Sequence, residues 1–375
     1  MESAKMKIAL AVTLAESGGV QQFLAGFSVW LKNQGHDVTV LAGDGEWLKE
    51  RCVANHIPFI HLKKMGREID PLRDPSAILE LRRVLKDLKP DAVELNSAKM
   101  SIVGSIAARL AGVPRVVYRI GGWTFREVLP AHKLWIYRNA ERVTGKLKDV
   151  IICVNPDDVR LANEVGIKAR EAVIAVPNGI DLPRFDTVLK PRDVSRDMLQ
   201  ASGFVFGTTA NFFPPKDLPR YMEACKLVHD AEPNARFLVL GDGLQRKEIE
   251  TKRHELGLDE IVWLPGARND AGALLAGFDA FVLPSSKEGM SFSLLEAMAA
   301  RLPCIATDVG AAKWMLADAG LVVPKMDPKA LAEAMLRVMR EPELRAKLAQ
   351  NARHQIETRF PLLETYRGNL KALLG

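Results

Sequence analysis

Four cysteines in 375 residues, Cys52, Cys153, Cys225 and Cys304, are too few and too scattered for a disulfide framework, and no C-x-x-C pair offers a zinc site. They read as reduced, mostly buried thiols. The seven histidines form no H-x-x-x-H pair, so no structural metal is expected. No apolar run approaches the roughly 20 residues that span a bilayer. The opening Met1-Glu2-Ser3-Ala4-Lys5-Met6 leads straight into a strand, with no signal-peptide core or cleavage site, and the expected location is the cytoplasm. Low-complexity tracts, sequence repeats and a G-x-G-x-x-G turn are all missing, the last of which disfavours a nicotinamide cofactor.

What charge there is lies unevenly. Between Asn96 and Val150 stand ten basic residues against three acidic ones, a net +7, while the whole chain carries +6. A basic surface attracts nucleic acid, anionic lipid or a phosphorylated acceptor. No nucleic-acid module signature accompanies it, so nucleic acid is not an expected partner. Within it, Trp123, Phe125, Trp135 and Tyr137 interleave with Arg126, Lys133, Arg138 and Arg142, a mixture found at membrane interfaces. The alternative is plain: aromatics packed on a sheet and charges in water.

The remaining pattern is alternation. Strand-like runs at Lys7 to Leu14, Asp37 to Ala42, Ile57 to His61, Asp91 to Leu95, Arg115 to Ile120, Val150 to Val154 and Ala172 to Val176 are separated by helix-period segments. A second series runs through Phe204 to Thr209, Arg236 to Leu240, Ile261 to Leu264, Ala280 to Leu283, Pro303 to Ala306 and Gly320 to Val323. Alternation of this kind gives parallel sheets covered by helices on both faces. The fold class is therefore α/β with two Rossmann-like domains facing across a cleft. The expected division is 1–182, a charged linker 183–200 containing Pro183 and Pro191, a second domain 201–357, and a last helix within 358–375.

One stretch carries the chemistry. Ser285 to Ala300 follows an apolar strand, contains the polar loop Lys287-Glu288-Gly289-Met290-Ser291, and continues into a helix. The free amides and dipole of a helix N-terminus hold anions. Glu288 and Glu296 bracket that place, and carboxylates accept from hydroxyls, so a ligand with both phosphate and sugar is indicated. The bland alternative is a capping box, with Ser293 as the cap and Glu296 reaching back.

Glu288 and Glu296, eight positions apart, resemble the Glu-x7-Glu motif of family 4 glycosyltransferases with the GT-B fold. Pro177-Asn178-Gly179-Ile180-Asp181, Gly241-Asp242-Gly243, Ile305 to Gly310 and Gly18-Gly19 spread the likeness over nearly the whole chain. The resemblance implies that Glu288 contacts hydroxyls of the transferred sugar and that the Gly289, Met290 and Ser291 amides lie near the phosphates. It further implies that Glu296 accepts from the ribose. Gly18, Gly19, Gly241, Asp242, Gly243 and Arg268 would border the diphosphate and base, and the last helix would cross back to the first domain. Lys216 is similar to the lysine of the family's Arg-x4-Lys pair, but the arginine position is Asn211, which offers only neutral donors. Arg268, Arg119 or the basic segment is the candidate replacement. The histidine that many members carry after the Val116-Val117-Tyr118 strand is missing, and Arg119 or the backbone at Gly121 is the candidate to take that contact on the acceptor side.

The expected activity is sugar transfer from a nucleotide-diphosphate sugar to a glycan or lipid-linked acceptor in cell-surface polysaccharide or lipopolysaccharide synthesis. The resemblance implies retention of anomeric configuration, and no metal or cofactor is expected. A UDP-sugar is the expected donor, with a GDP-sugar as the alternative. Peripheral contact with the inner, anionic face of the cytoplasmic membrane is the expectation for the basic segment. Two other readings stand beside it, a sugar-nucleotide epimerase and a non-catalytic sugar-nucleotide-binding subunit of an assembly complex.

Overall fold

Seven apolar runs, mostly buried on both faces as parallel strands are, build the first sheet. They are β1 (Lys7–Val12), β2 (Asp37–Ala42), β3 (Phe59–His61), β4 (Ala92–Asn96), β5 (Arg115–Ile120), β6 (Val150–Cys153) and β7 (Ala172–Ala175), in the order β3-β2-β1-β4-β5-β6-β7. Their pairings are all parallel. The crossovers are α1 (Gly19–Asn33), α2 (Trp47–Ala54), α3 (Asp74–Leu88), α4 (Ala98–Ala111), α5 (Ala131–Gly145) and α6 (Pro156–Glu164). The computed structural model describes residues 5–66, 70, 73–126 and 130–375. β3 starts at Phe59 rather than Ile57, because Pro58 has no N–H to give a ladder.

From β1 the chain runs outward to β3, then returns to lay β4 on the other side of β1. The carboxyl ends of β1 and β4 thus form the switch point at which open α/β sheets hold ligands. There Thr13 and Ser97 share a hydroxyl–hydroxyl hydrogen bond of 2.5 Å, and Ser97 takes a strained φ of +92°.

The second sheet repeats the plan. After α7 (Leu182–Val188) and α8 (Arg192–Met198) come β8 (Phe204–Thr209), β9 (Ala235–Leu240), β10 (Val262–Gly266), β11 (Ala280–Leu283), β12 (Cys304–Thr307) and β13 (Gly320–Val323), ordered β10-β9-β8-β11-β12-β13. Its switch point lies between β8 and β11. Its helices are α9 (Leu218–Ala231), α10 (Arg246–Glu255), α11 (Phe292–Ala299), α12 (Ala312–Leu316), α13 (Pro328–Arg340) and α14 (Pro342–Arg359), and α15 (Leu362–Leu374) closes the chain. Each sheet has its own apolar core. The four cysteines are free and buried.

The two compact units are the chain up to Pro177 together with Thr365–Gly375, and Asn178–Glu364. The last helix thus belongs, from Thr365, to the first unit. The stretch 183–200 is not a linker. It forms α7 and α8 within the second unit, and its charges are anchors: Arg192 and Arg196 both bind Asp279, the latter at 3.0 Å, while Asp279 also accepts from the Val205 amide at 2.8 Å. No helix of the described residues is long and apolar enough to cross a membrane.

Candidate active site

β8 and β11 are neighbours, so the loops leaving their carboxyl ends meet. This brings together Lys216 and Glu288, 72 residues apart in sequence, with Nζ 2.6 Å from Oε1. The same oxygen accepts from the Ser285 hydroxyl at 2.7 Å. Ser285 is fully buried, and its carbonyl receives the Thr307 hydroxyl from β12 at 2.5 Å. The Ser286 amide bonds the Pro215 carbonyl at 2.8 Å, which ties the two loops directly. Gly310, at φ +51°, packs so closely that a Cβ there would lie 2.3 Å from the Glu288 carbonyl oxygen. Ser285, Thr307 and Gly310 were not singled out as site residues in the sequence; the one available signal was that Ser285 precedes Glu288 by three residues at the strand end.

Beyond Glu288 the loop becomes the N-terminus of α11. Ser291, not Ser293, is the cap, accepting from the Leu294 amide at 3.3 Å. Glu296 therefore sits in the second turn, out of reach of a capping role. The loop is also held from behind. Asn178 donates its side-chain amide to the Met290 carbonyl at 3.2 Å and its backbone N–H to the Met290 sulfur. Asn178 thereby gives the Pro177-Asn178-Gly179 motif a physical role, that of setting the amides of Met290 and Ser291.

Glu296 accepts no hydrogen bond from the described residues, and burial pushes its carboxyl up to about 7. It faces Gly272, in the turn after β10. The Arg268 guanidinium forms a two-pronged pair with Asp270, at 2.9 and 3.0 Å, so its charge is already compensated. Gly241, at φ +151°, carries no Cβ because the Ala210 carbonyl oxygen would lie 1.7 Å from it. Gly243 packs in the same way on Phe212, and Asp242 accepts from the Gly243 amide and pairs with Arg246. Asn211 is exposed on the loop after β8.

In the first unit, Gly18 is the N-cap of α1 and Gly19 its first residue. Gly121 is exposed at the end of β5, with only a Val20 methyl, 3.9 Å away, near the place of a Cβ. Arg119, a candidate for the clamp and for the acceptor side, is buried. It is 3% exposed, its guanidinium lies 3.7 Å above the Phe23 ring of α1, and buried Glu94 is its countercharge. Burial drives the Glu94 carboxyl up to about 7, against the pull of Arg119 and a 3.2 Å hydrogen bond from Asn96.

Part of the basic segment is spent inside the unit. Lys99 pairs with Asp74, Arg109 with Asp149, Arg115 with Glu171 and Lys148 with Glu141, at 2.7 to 2.9 Å. Trp123 is buried, donates to the Asp158 carbonyl and stacks on Phe125. The side chain of Arg126 lies outside the described residues. On α5 the usual polarity is reversed: Glu141 and Thr144 face inward, while Trp135, Ile136 and Val143 are 61%, 50% and 70% exposed beside Lys133, Arg142 and Lys146.

The second unit thus sets a paired lysine and glutamate on the loops after β8 and β11, followed by a helix N-terminus and a second glutamate that accepts no hydrogen bond from the described residues. The family described as "Glycosyl transferase 4-like domain" matches residues 18–179, and "Glycosyl transferases group 1" matches 198–355. The chain belongs to the family 4 glycosyltransferases of GT-B type. It is 27% identical over 371 residues to the UDP-Gal:alpha-D-GlcNAc-diphosphoundecaprenol alpha-1,3-galactosyltransferase of Escherichia coli, covering 96% of this chain and 94% of that protein. To the capsular polysaccharide biosynthesis glycosyltransferase CapM of Staphylococcus aureus it is 24% identical over 348 residues, covering 88% of each. In structure it is similar to Anabaena HepE solved in complex with UDP, with a TM-score of 0.82 at 20% identity over 98% of this chain and 99% of that one. That likeness bears on the fold alone. These relatives lend nothing to the epimerase or non-catalytic readings.

Proposed function

We propose that the protein transfers a sugar from a nucleotide-diphosphate sugar, a UDP-sugar in the first instance, to a lipid-linked or glycan acceptor in cell-surface polysaccharide or lipopolysaccharide synthesis. The observation that carries this is the cluster of Lys216, Glu288 and the α11 N-terminus, with Glu296 one turn into the helix and accepting no hydrogen bond from the described residues. Lys216 and the amides after Gly289 meet the diphosphate, Glu288 the transferred sugar, and Glu296 the ribose hydroxyls. Gly241 to Gly243 and Arg268 border the same ligand, while Gly121 lies on the acceptor side. Relatives named for UDP-galactose and for diphosphoundecaprenol-linked acceptors, and the UDP bound to HepE, support this reading.

The reaction retains configuration. The bond from the anomeric carbon to the phosphate oxygen breaks as the acceptor oxygen attacks the same face, and the acceptor's proton passes to the departing phosphate oxygen. Positive charge fixed at Lys216 and donated by the α11 amides stabilises the leaving diphosphate, the place where charge develops. No bound metal is required for that role. The aromatic and basic face of α5 meets an anionic membrane that presents the acceptor.

The test is transfer from UDP-glucose, UDP-galactose and their N-acetyl forms to a synthetic lipid-diphosphate sugar, with and without EDTA. An α-linked product whose yield EDTA leaves unchanged is expected. A β-linked product, a metal requirement or a trapped covalent glycosyl-enzyme overturns the mechanism.

A further inference from the structure

Lys216 and Glu288 are bound to each other. The ammonium lies 2.6 Å from Oε1, with the side chains 23% and 12% exposed. Oε1 also receives the Ser285 hydroxyl, so both of its lone-pair directions are taken, and Oε2 accepts nothing from the described residues.

The two partners differ in freedom. Glu288 stands on a loop pinned on three sides, by Thr307 through the Ser285 carbonyl, by Pro215 through the Ser286 amide, and by Gly310 against its own carbonyl. Lys216 sits on a four-carbon stem at the end of a single 3-10 turn, Pro214–Lys216. When the pair is broken, Lys216 is the one that moves.

We propose that Glu288 is a built-in competitor for Lys216. It weakens the site's hold on a bare nucleoside diphosphate, and it yields the ammonium to the diphosphate when sugar hydroxyls engage the carboxylate in its place. The nucleotide product, which brings no sugar, then leaves more readily than the intact donor. This rests on the reading that the donor diphosphate lies at Lys216 and the α11 N-terminus. The physical basis is that one ammonium cannot fully serve two anions, and that an ion pair so little exposed is screened only weakly.

The experiment is a calorimetric titration of UDP, with GDP and ADP in parallel, into the wild type, Glu288→Gln, Lys216→Met and the double variant. The glutamine is isosteric and can still accept from Ser285. Melting temperatures check that each variant is folded. Glu288→Gln is expected to bind UDP about fivefold more tightly than the wild type. On the Lys216→Met background the same change is expected to have no effect, because the competition is for that lysine. A Glu288→Gln affinity equal to or below wild type overturns the proposal. So does a gain that persists without Lys216, which would be plain repulsion between Glu288 and the diphosphate. A wild type that binds none of the three nucleotides removes the donor-site reading itself, a result distinct from the other two.

Discussion

Glu94 shows how one buried side chain couples the fold to pH. Its carboxyl is raised to about 7 by burial, so between the ordinary carboxylate range and neutrality the native state binds more protons than the unfolded one. Stability then falls as pH rises through that window and levels off above it. Glu296 acts in the same direction, which makes the informative quantity a difference. Glu94→Gln is expected to flatten part of the slope in urea titrations between pH 5 and 8, because the amide has no proton to lose in that window. An unchanged slope would show that Glu94 is not the group responsible. A second prediction concerns Gly121, where a Cβ would meet only the Val20 methyl, at an ordinary contact distance of 3.9 Å. Gly121→His is expected to fold with stability within about 0.5 kcal/mol of wild type by the same titration. At this scale the sequence was partly legible. Glu288 and Glu296 stand out by their eight-residue spacing from a polar loop into a helix, and Lys216 by its place on the loop after β8. Ser285 does not, because its value lies in where Thr307 points it. The setting of Arg119 is not legible, since only the fold brings Glu94 and Phe23 around it.

Among the elements, the loop into α11, to which the proposed function assigns most of the chemistry, is fixed from outside itself. Gly310→Ala combines a left-handed backbone with a Cβ inside contact distance of the Glu288 and Gly289 carbonyl oxygens. It is expected to cost roughly 1 to 3 kcal/mol in denaturant titration and to abolish donor turnover. Full activity would show that the loop can relax. Helix α5 supports a different prediction. With apolar side chains outward and Glu141 and Thr144 inward, it suits a membrane surface. Co-sedimentation with vesicles rich in anionic lipid is expected to fall about thirtyfold in Lys133→Gln/Arg142→Gln, at roughly 1 kcal/mol per cation. Equal binding to neutral and anionic vesicles would remove the proposal. The segment of α7 and α8 was misread as a linker because its charges break the helical period, and only the fold shows that Asp279 gathers them. The α11 cap stands two residues before the Ser293 of the capping-box alternative, because the Ser291 backbone is extended and its hydroxyl accepts from the Leu294 amide.

For the whole molecule, alternation of strand and helix was enough to give two parallel sheets, since each strand is a short apolar run and each crossover shows a helical period. The points at which the chain passes between units were less legible. They depend on which residues pack together, as when Ile180 pairs with Pro361 beside the crossing at Pro177. The central claim is that the second unit binds the donor nucleotide at α11, with Glu296 on the ribose. The most direct measurement is the melting temperature of the wild type and of Glu296→Ala with UDP, GDP and ADP. At about 100 times Kd one nucleotide is expected to stabilise the wild type by about 2.7 kcal/mol, and the variant by far less at the same concentration. No shift with any nucleotide, or an equal shift in Glu296→Ala, would contradict the account.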